Sequence, residues 1–320
     1  MMYKVSVVTP VYKAEKYIEK CARCLFEQTL EEIEYIFVND CSPDNSIDVL
    51  LKVLEDYPDR KPHVKIIHHV HNTGQSGARK DGMALASGDF IIHCDADDWT
   101  DPDMYRTMYE KAIEDNVEAV CCDIVLECEN ASVVLRVNNR YEDHQLLYDC
   151  LVPISVEYLS LCNRLISRKV FERHVVEPFE GVNMWDDVGM SIRLRYYIRS
   201  TSVINQPFYH YNRLNEVSTT RRPLLERMQE QGKCIELIEQ FFKNENAQEQ
   251  YRHFISYLKI HSIEYIFPTD ADTWAKAFKS ERSTLWKIRH LYRKHMRFRY
   301  FVVGYGGFIG KLIWKLFWKQ

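Results

Sequence analysis

"FIIHCDADDW", residues 90–99, sets Asp95, Asp97 and Asp98 directly after a short apolar run and closes the group with Trp99. Three carboxylates this close repel one another. Two readings fit the stretch by itself. One is a solvated turn after a strand, with Asp98 or Asp101 opening a helix at Pro102. The other is a hard-cation site in which a metal ion relieves the repulsion. The chain upstream decides what lies around it. Val5–Val8, Tyr35–Val38, Val64–His68 and Phe90–Cys94 are four buried-strand runs. Between them Glu15–Phe26, Asp44–Leu54 and Gln75–Ala86 have helical spacing, with Asp44 or Asn45 as a cap for the second. Continuous apolar strands alternating with helices predict a parallel sheet covered on both faces. In such sheets ligands bind beyond the carboxyl ends of the strands. Thr9–Tyr12, Asn39–Ser42 and Asp95–Asp98 all fall there, so the acids share a crevice with a tyrosine.

The whole chain is globular in composition, with 46% hydrophobic and 28% charged residues over 320 positions. Its net charge of -4 hides an asymmetry. Ten of the 42 Lys and Arg residues lie after Glu281 with no acid among them, so 32 basic residues face 46 acidic ones before that point. The N-terminus MMYKVSVVTP has no long apolar stretch of a signal peptide, and the ten cysteines follow no disulfide or zinc spacing. Cys21-x-x-Cys24 has no second pair. Structural thiols in a cytosolic protein are the expectation. Neither G-x-G-x-x-G nor G-x-x-x-x-G-K-[ST] occurs, so a phosphate ligand would need a metal and basic side chains.

Beyond Trp99 the pattern changes. Met104–Asp115 reads as a helix, and Ala119–Leu126 and Ser132–Asn138 as strands of a mixed sheet. Residues 142–151 suit a helix, 160–171 a strand and turn, and GVNMWDDVGM (181–190) a loop leading into a helix. Asp186 or Asp187 would then be its cap. Leu224–Phe267 is helical with little strand signal.

VSVVTPVYKAEKYIEKC, IFVNDCSPDNS, NTGQSGARKDGMALASGDFIIHCDADDW and the later WDD resemble, in order and spacing, the family 2 glycosyltransferases of the GT-A fold. The likeness covers residues 4–220. It implies a Rossmann-like mixed, mainly parallel sheet flanked by helices, with a C-terminal helical extension. It divides the chain into a catalytic domain at 1–220 (nucleotide-binding half 1–100, acceptor-binding half 101–220), an extension at 221–281 and a tail at 282–320. Pro10 and Tyr12 stand in the family's P-x-Y, with Tyr12 expected against the nucleobase. Asp40 is expected to accept the base's imide N–H, and Arg79 to reach the nucleotide or diphosphate. Asp95 and Asp97 fill the D-x-D that holds Mg²⁺ or Mn²⁺. Asp187 takes the place of the general base, and Asp186 stands where the family usually has Glu. Lys13 and Lys80 replace frequent asparagines. His210, in PFYHYNR, is a candidate further metal ligand, and NEVSTTRR (215–222) a candidate loop over the diphosphate.

The chemistry implied is transfer from a nucleoside diphosphate sugar, most simply UDP-linked, to a glycan or lipid-linked acceptor, as in surface polysaccharide assembly. Metal stabilises the departing diphosphate, and a separate carboxylate takes the acceptor proton. Base and metal on opposite sides of the sugar invert the anomeric centre. A nucleotidyltransferase would want a basic Gly-rich loop after the first strand, which TPVYKAEKY lacks. A silent nucleotide-sugar-binding partner would have no use for Asp187. The tail alternates Lys311, Lys315 and Lys319 with Trp and Phe, while YFVVGYGGFIG is eleven residues, short of the roughly 20 that span a bilayer. Such a tail suits the anionic inner face of a cell membrane, with packing on the body or an oligomer contact through Gly306-x-x-x-Gly310 as the other readings. Nucleic acid would be repelled by the acidic body.

Overall fold

Val5–Val11 forms β1, the middle of a mixed sheet, in a computed structural model that describes residues 2–137, 159–216 and 218–263. Strands β2 (Ile33–Asn39) and β3 (Val64–His68) lie to one side of β1, and β4 (Phe90–His93) to the other, all parallel. Beyond β4 the sheet continues with β8 (Arg164–Ser167), β6 (Ala119–Glu127), β9 (Thr201–Asn212) and β5 (Trp99–Thr100). Here β4 with β8, β8 with β6, and β9 with β5 pair antiparallel, while β6 and β9 run parallel. A short β7 (Ser132–Leu135) adds to β6. The α/β class expected from the alternation is the one found.

Alternating strand residues set the two layers. Val5, Val7, Tyr35, Phe37, Phe90 and Ile92 face helices α1 (Ile18–Phe26), α2 (Ser46–Glu55) and α4 (Met104–Glu114) in one core. Val8, Ile36, Val38 and Ile91 face α3 (Gly74–Ala84) through Ala78 on the opposite side. Ala119 and Ile166 pack against α5 (Arg168–Arg173) and α6 (Asp186–Tyr197) through Val170, Met190 and Leu194. Pro10 is tolerated in a central strand because β4 has ended beside it. The Cys94 N–H reaches Val8 O on that side, and the position two residues on has no ladder bond to lose.

Several local expectations shift. Residues 168–171, read as a turn, are helical in α5. The helix after Pro102 takes Asp103 as its cap residue, not Asp98 or Asp101. Strand β9 was not expected at all. Its register slips between Cys122 and Ile124 of β6, and that irregularity accommodates Pro207. None of the described cysteines forms a disulfide, and burial pushes the Cys24 thiol up to about 12.

The described residues divide after Arg221 into two compact units. The second contains α7 (Leu224–Asn244) and α8 (Gln248–Ile263), with the Phe242 and Tyr251 rings 4.3 Å apart between centroids. The helical stretch expected here is interrupted at Asn246, whose φ is 56°. No helix among the described residues is long and apolar enough to cross a membrane. The helix expected at 142–151 and the basic tail at 282–320 lie outside the described residues.

Candidate functional site

The loops after β1 and β2 are joined by side chains. Ser42 Oγ accepts from the Lys13 N–H at 2.8 Å, Ser46 Oγ from Ala14 N–H at 2.9 Å, and Asp44 Oδ2 from Glu15 N–H at 3.1 Å. Lys13 and Cys41 hold left-handed conformations, φ 52° and 56°, that this network keeps in place. Tyr12 stands out of this wall 44% exposed, with Lys13 Nζ 5.2 Å from its ring centroid. Asp40, by contrast, is buried and spent on its own chain. Its carboxylate accepts from His69 Nδ1 at 2.9 Å, Thr73 N–H at 2.7 Å, Thr73 Oγ1 at 2.9 Å and Gly74 N–H at 2.8 Å. It therefore anchors the loop that starts α3, where the resemblance gave it a nucleobase to hold.

At the end of β4 the three acids separate into two roles. Asp98 is buried and answers to β9. Its Oδ1 accepts the Asn212 N–H at 2.8 Å and its Oδ2 the Tyr209 hydroxyl. Asp95 and Asp97 stay partly exposed. Burial, then the charge of Asp95, lifts the Asp97 carboxyl to about 6, against a bond from Asn215 Nδ2 at 2.6 Å. Two adjacent carboxylates of this kind fit a hard divalent cation, which is commonly held by one or two carboxylates with phosphate oxygens and water completing its shell. No three metal-binding side chains converge among the described residues. His210, the candidate further ligand, meets other groups in this structure. Its Nδ1 lies 2.7 Å from Glu127, its Nε2 3.2 Å from Asp101, and its ring stacks on Trp99 at 5.3 Å. Both nitrogens are in use.

The third element is the start of α6. Asp186 and Asp187 are its first two residues, and the cap position belongs to Trp185, with φ 70° and ψ 26°. Neither acid is the cap expected of it. Strain of this kind costs on the order of 1–3 kcal/mol and persists where neighbours fix it. Asp186 is buried, and Asp187 is half-buried with its Oδ1 on the Val188 N–H at 2.8 Å. Burial lifts both carboxyls, Asp187 to about 6, while Arg79 pulls them down. Arg79 is 1% exposed, enclosed beside the partly exposed Asp95. Its Nη2 lies 2.6 Å from Asp95 and its Nε 3.3 Å from Asp186.

Three residues not singled out from the sequence complete the arrangement: Asn183, Tyr209 and Asn215, the last at the start of the candidate loop 215–222. Asn183 Oδ1 accepts from Ser76 N–H at 3.3 Å and lies over Gly74, whose φ is +79°. A Cβ at Gly74 would come within 2.2 Å of it. Gly74→Ala is therefore expected to cost about 1–3 kcal/mol, a Tm drop of several degrees by calorimetry. An unchanged Tm would mean that the contact is not held in solution.

Residues 6–175 match the profile of Glycosyl transferase family 2. EpsH of Bacillus subtilis (strain 168) is 31% identical over 266 residues, 81% of this chain and 75% of that protein. Two further relatives are matched over only 33% and 34% of their own length. Among solved structures, S. aureus TarS 1-349 in complex with UDP-GlcNAc superposes with a TM-score of 0.69 at 16% identity, covering 94% of this chain and 87% of that one. The mannosyltransferase PcManGT from Pyrobaculum calidifontis, in complex with GDP-Man and Mn²⁺, gives 0.52 at 16% identity. Both likenesses concern the fold.

Proposed function

The chain belongs to glycosyl transferase family 2, and on that footing we propose that it is an inverting, metal-dependent transferase that moves a sugar from a UDP-linked donor to a glycan or lipid-linked hydroxyl. The observation that carries this reading is the separation of acids. Asp95 and Asp97 stand at one strand end, with Asp97 lifted to about 6, and Asp187 stands on a different element. Names among the relatives support the class of substrate: TarS is solved with UDP-GlcNAc, and one relative is a poly(ribitol-phosphate) beta-glucosyltransferase.

In this reading Tyr12 and the Ser42-fastened loop form the nucleobase wall. Asp95 and Asp97 would hold Mg²⁺ or Mn²⁺, which supplies Lewis-acid stabilisation of the diphosphate charge. Asp187 takes the proton of the acceptor hydroxyl as it attacks. A base must be unprotonated yet basic enough to accept, and a carboxyl lifted to about 6 meets both demands near neutrality. One displacement with base and diphosphate on opposite faces gives inversion. The direct test is a panel of nucleotide sugars with Mn²⁺, followed by proton NMR of the first product. A product of inverted anomeric configuration supports the proposal; retention overturns it.

The pH dependence follows from the same group. Below about 6 Asp187 is protonated and cannot act as base, so kcat/KM should fall about tenfold per pH unit there and level off above. A rate independent of pH from 5 to 8 would remove Asp187 from the role. Attachment to the inner face of the membrane through residues 282–320 is also proposed, from sequence alone. Full-length protein should cosediment with anionic vesicles at low salt, and a chain ending at Glu281 should not.

A further inference from the structure

Helix α3 touches both acidic elements of the site with one face. Ser76 and Arg79 are three residues apart and so lie side by side on it. Opposite them Asn183 and Asp186 have the same spacing, across the start of α6. Asn183 meets Ser76, and Asp186 meets Arg79. Arg79 then reaches on to Asp95 at the end of β4. Its guanidinium is enclosed: Nη2 donates to Asp95, while Nε and Nη1 lack hydrogen-bond partners among the described residues, so the 3.3 Å contact of Nε with Asp186 is an ion pair. Burial alone would lower its basicity, but Asp186 and Asp95 raise it well above the ordinary arginine value. The cation is locked between two acids of different function.

We propose that Arg79 is a positioning residue, a buried strut that sets the metal-side acid Asp95 against the start of α6 through Asp186, and that it does not bind the donor. The shorter side chain of Asp186, where the resemblance would have Glu, belongs to this contact. Asp186 thus holds the strut in place and leaves proton transfer to Asp187. The inference rests on the transferase reading above and gives it a geometry. Without Arg79, the partly exposed Asp95 and the buried Asp186 would be two negative charges with nothing between them, a costly state for the buried one. Neutralising Asp186 as well should relieve it.

That relation is a double-mutant cycle of wild type, Arg79→Gln, Asp186→Asn and the double variant. UDP binding by calorimetry in saturating Mn²⁺, where a weakened hold on the ion does not show, should stay within about threefold in all four, while turnover of UDP-GlcNAc falls about 10–100-fold in Arg79→Gln, the scale of groups that orient metal-site ligands. The double variant should be no slower than Arg79→Gln. A UDP affinity at least about tenfold weaker in Arg79→Gln would make Arg79 a donor ligand, and losses that multiply in the double variant would make the two residues independent. Either result overturns the strut. If wild type fails to bind UDP in Mn²⁺, it is the donor reading that falls, and amide hydrogen exchange still tests the strut without ligand. Exchange over residues 183–188 should rise in Arg79→Gln and return toward wild type in the double variant; no rise, or no return, rejects it.

Discussion

Asp187→Asn is expected to slow sugar transfer by at least about 10²-fold while leaving UDP affinity within about threefold of wild type. The substitution keeps the size of the side chain and an oxygen for the Val188 N–H, which Asp187 Oδ1 accepts at 2.8 Å. What it removes is the ability to take a proton. Donor affinity should survive because the acids assigned to the diphosphate side, Asp95 and Asp97, sit at the end of β4 and not on α6. Single-turnover transfer beside a UDP titration reads both quantities. Equal losses in binding and rate would place Asp187 in the donor site.

Asp97→Asn has the opposite profile. It should weaken Mn²⁺ and UDP together by about 10²-fold, the upper range for losses at metal sites, because the ion links protein and diphosphate. The fold should hold, since Asp97 is partly exposed and its bond from Asn215 can be kept by an amide oxygen. Burying a carboxyl beside Asp95 costs free energy in the free protein, so neutral Asn should leave Tm unchanged or higher. Weaker UDP binding with a raised Tm would mark Asp97 as a functional acid held at the expense of stability.

The parallel half of the fold is legible because its physics is local. Runs such as Ile33–Asn39 bury both faces, and α1 repeats Ile18, Cys21, Ala22 and Leu25 on one side, so period alone locates strand and helix. The acids at the strand ends follow from that order. β9 is illegible because Pro207 argues against a strand and only the slipped register on β6 makes room for it. Long-range polar contacts are equally silent. Glu34, one residue before the run Tyr35–Val38, is fully buried and accepts from Ser6 Oγ at 2.6 Å, Ser87 Oγ at 2.8 Å and Lys65 Nζ at 2.7 Å, partners its neighbours in sequence do not reveal. The commitments of Asp40 to the α3 loop, Asp98 to β9 and His210 to Glu127 are of the same kind. A motif gives the residue type at a strand end, but its partner, some 30 to 114 residues distant, decides whether the group is free for chemistry.

The central claim is that a divalent ion on Asp95 and Asp97 joins this chain to a nucleoside diphosphate. Calorimetric titration of UDP into the full chain, once with Mn²⁺ and once with excess EDTA, tests it most directly. The account predicts binding that weakens at least about tenfold when the metal is withdrawn, since the diphosphate is held largely through the ion. UDP bound equally well in EDTA would contradict it.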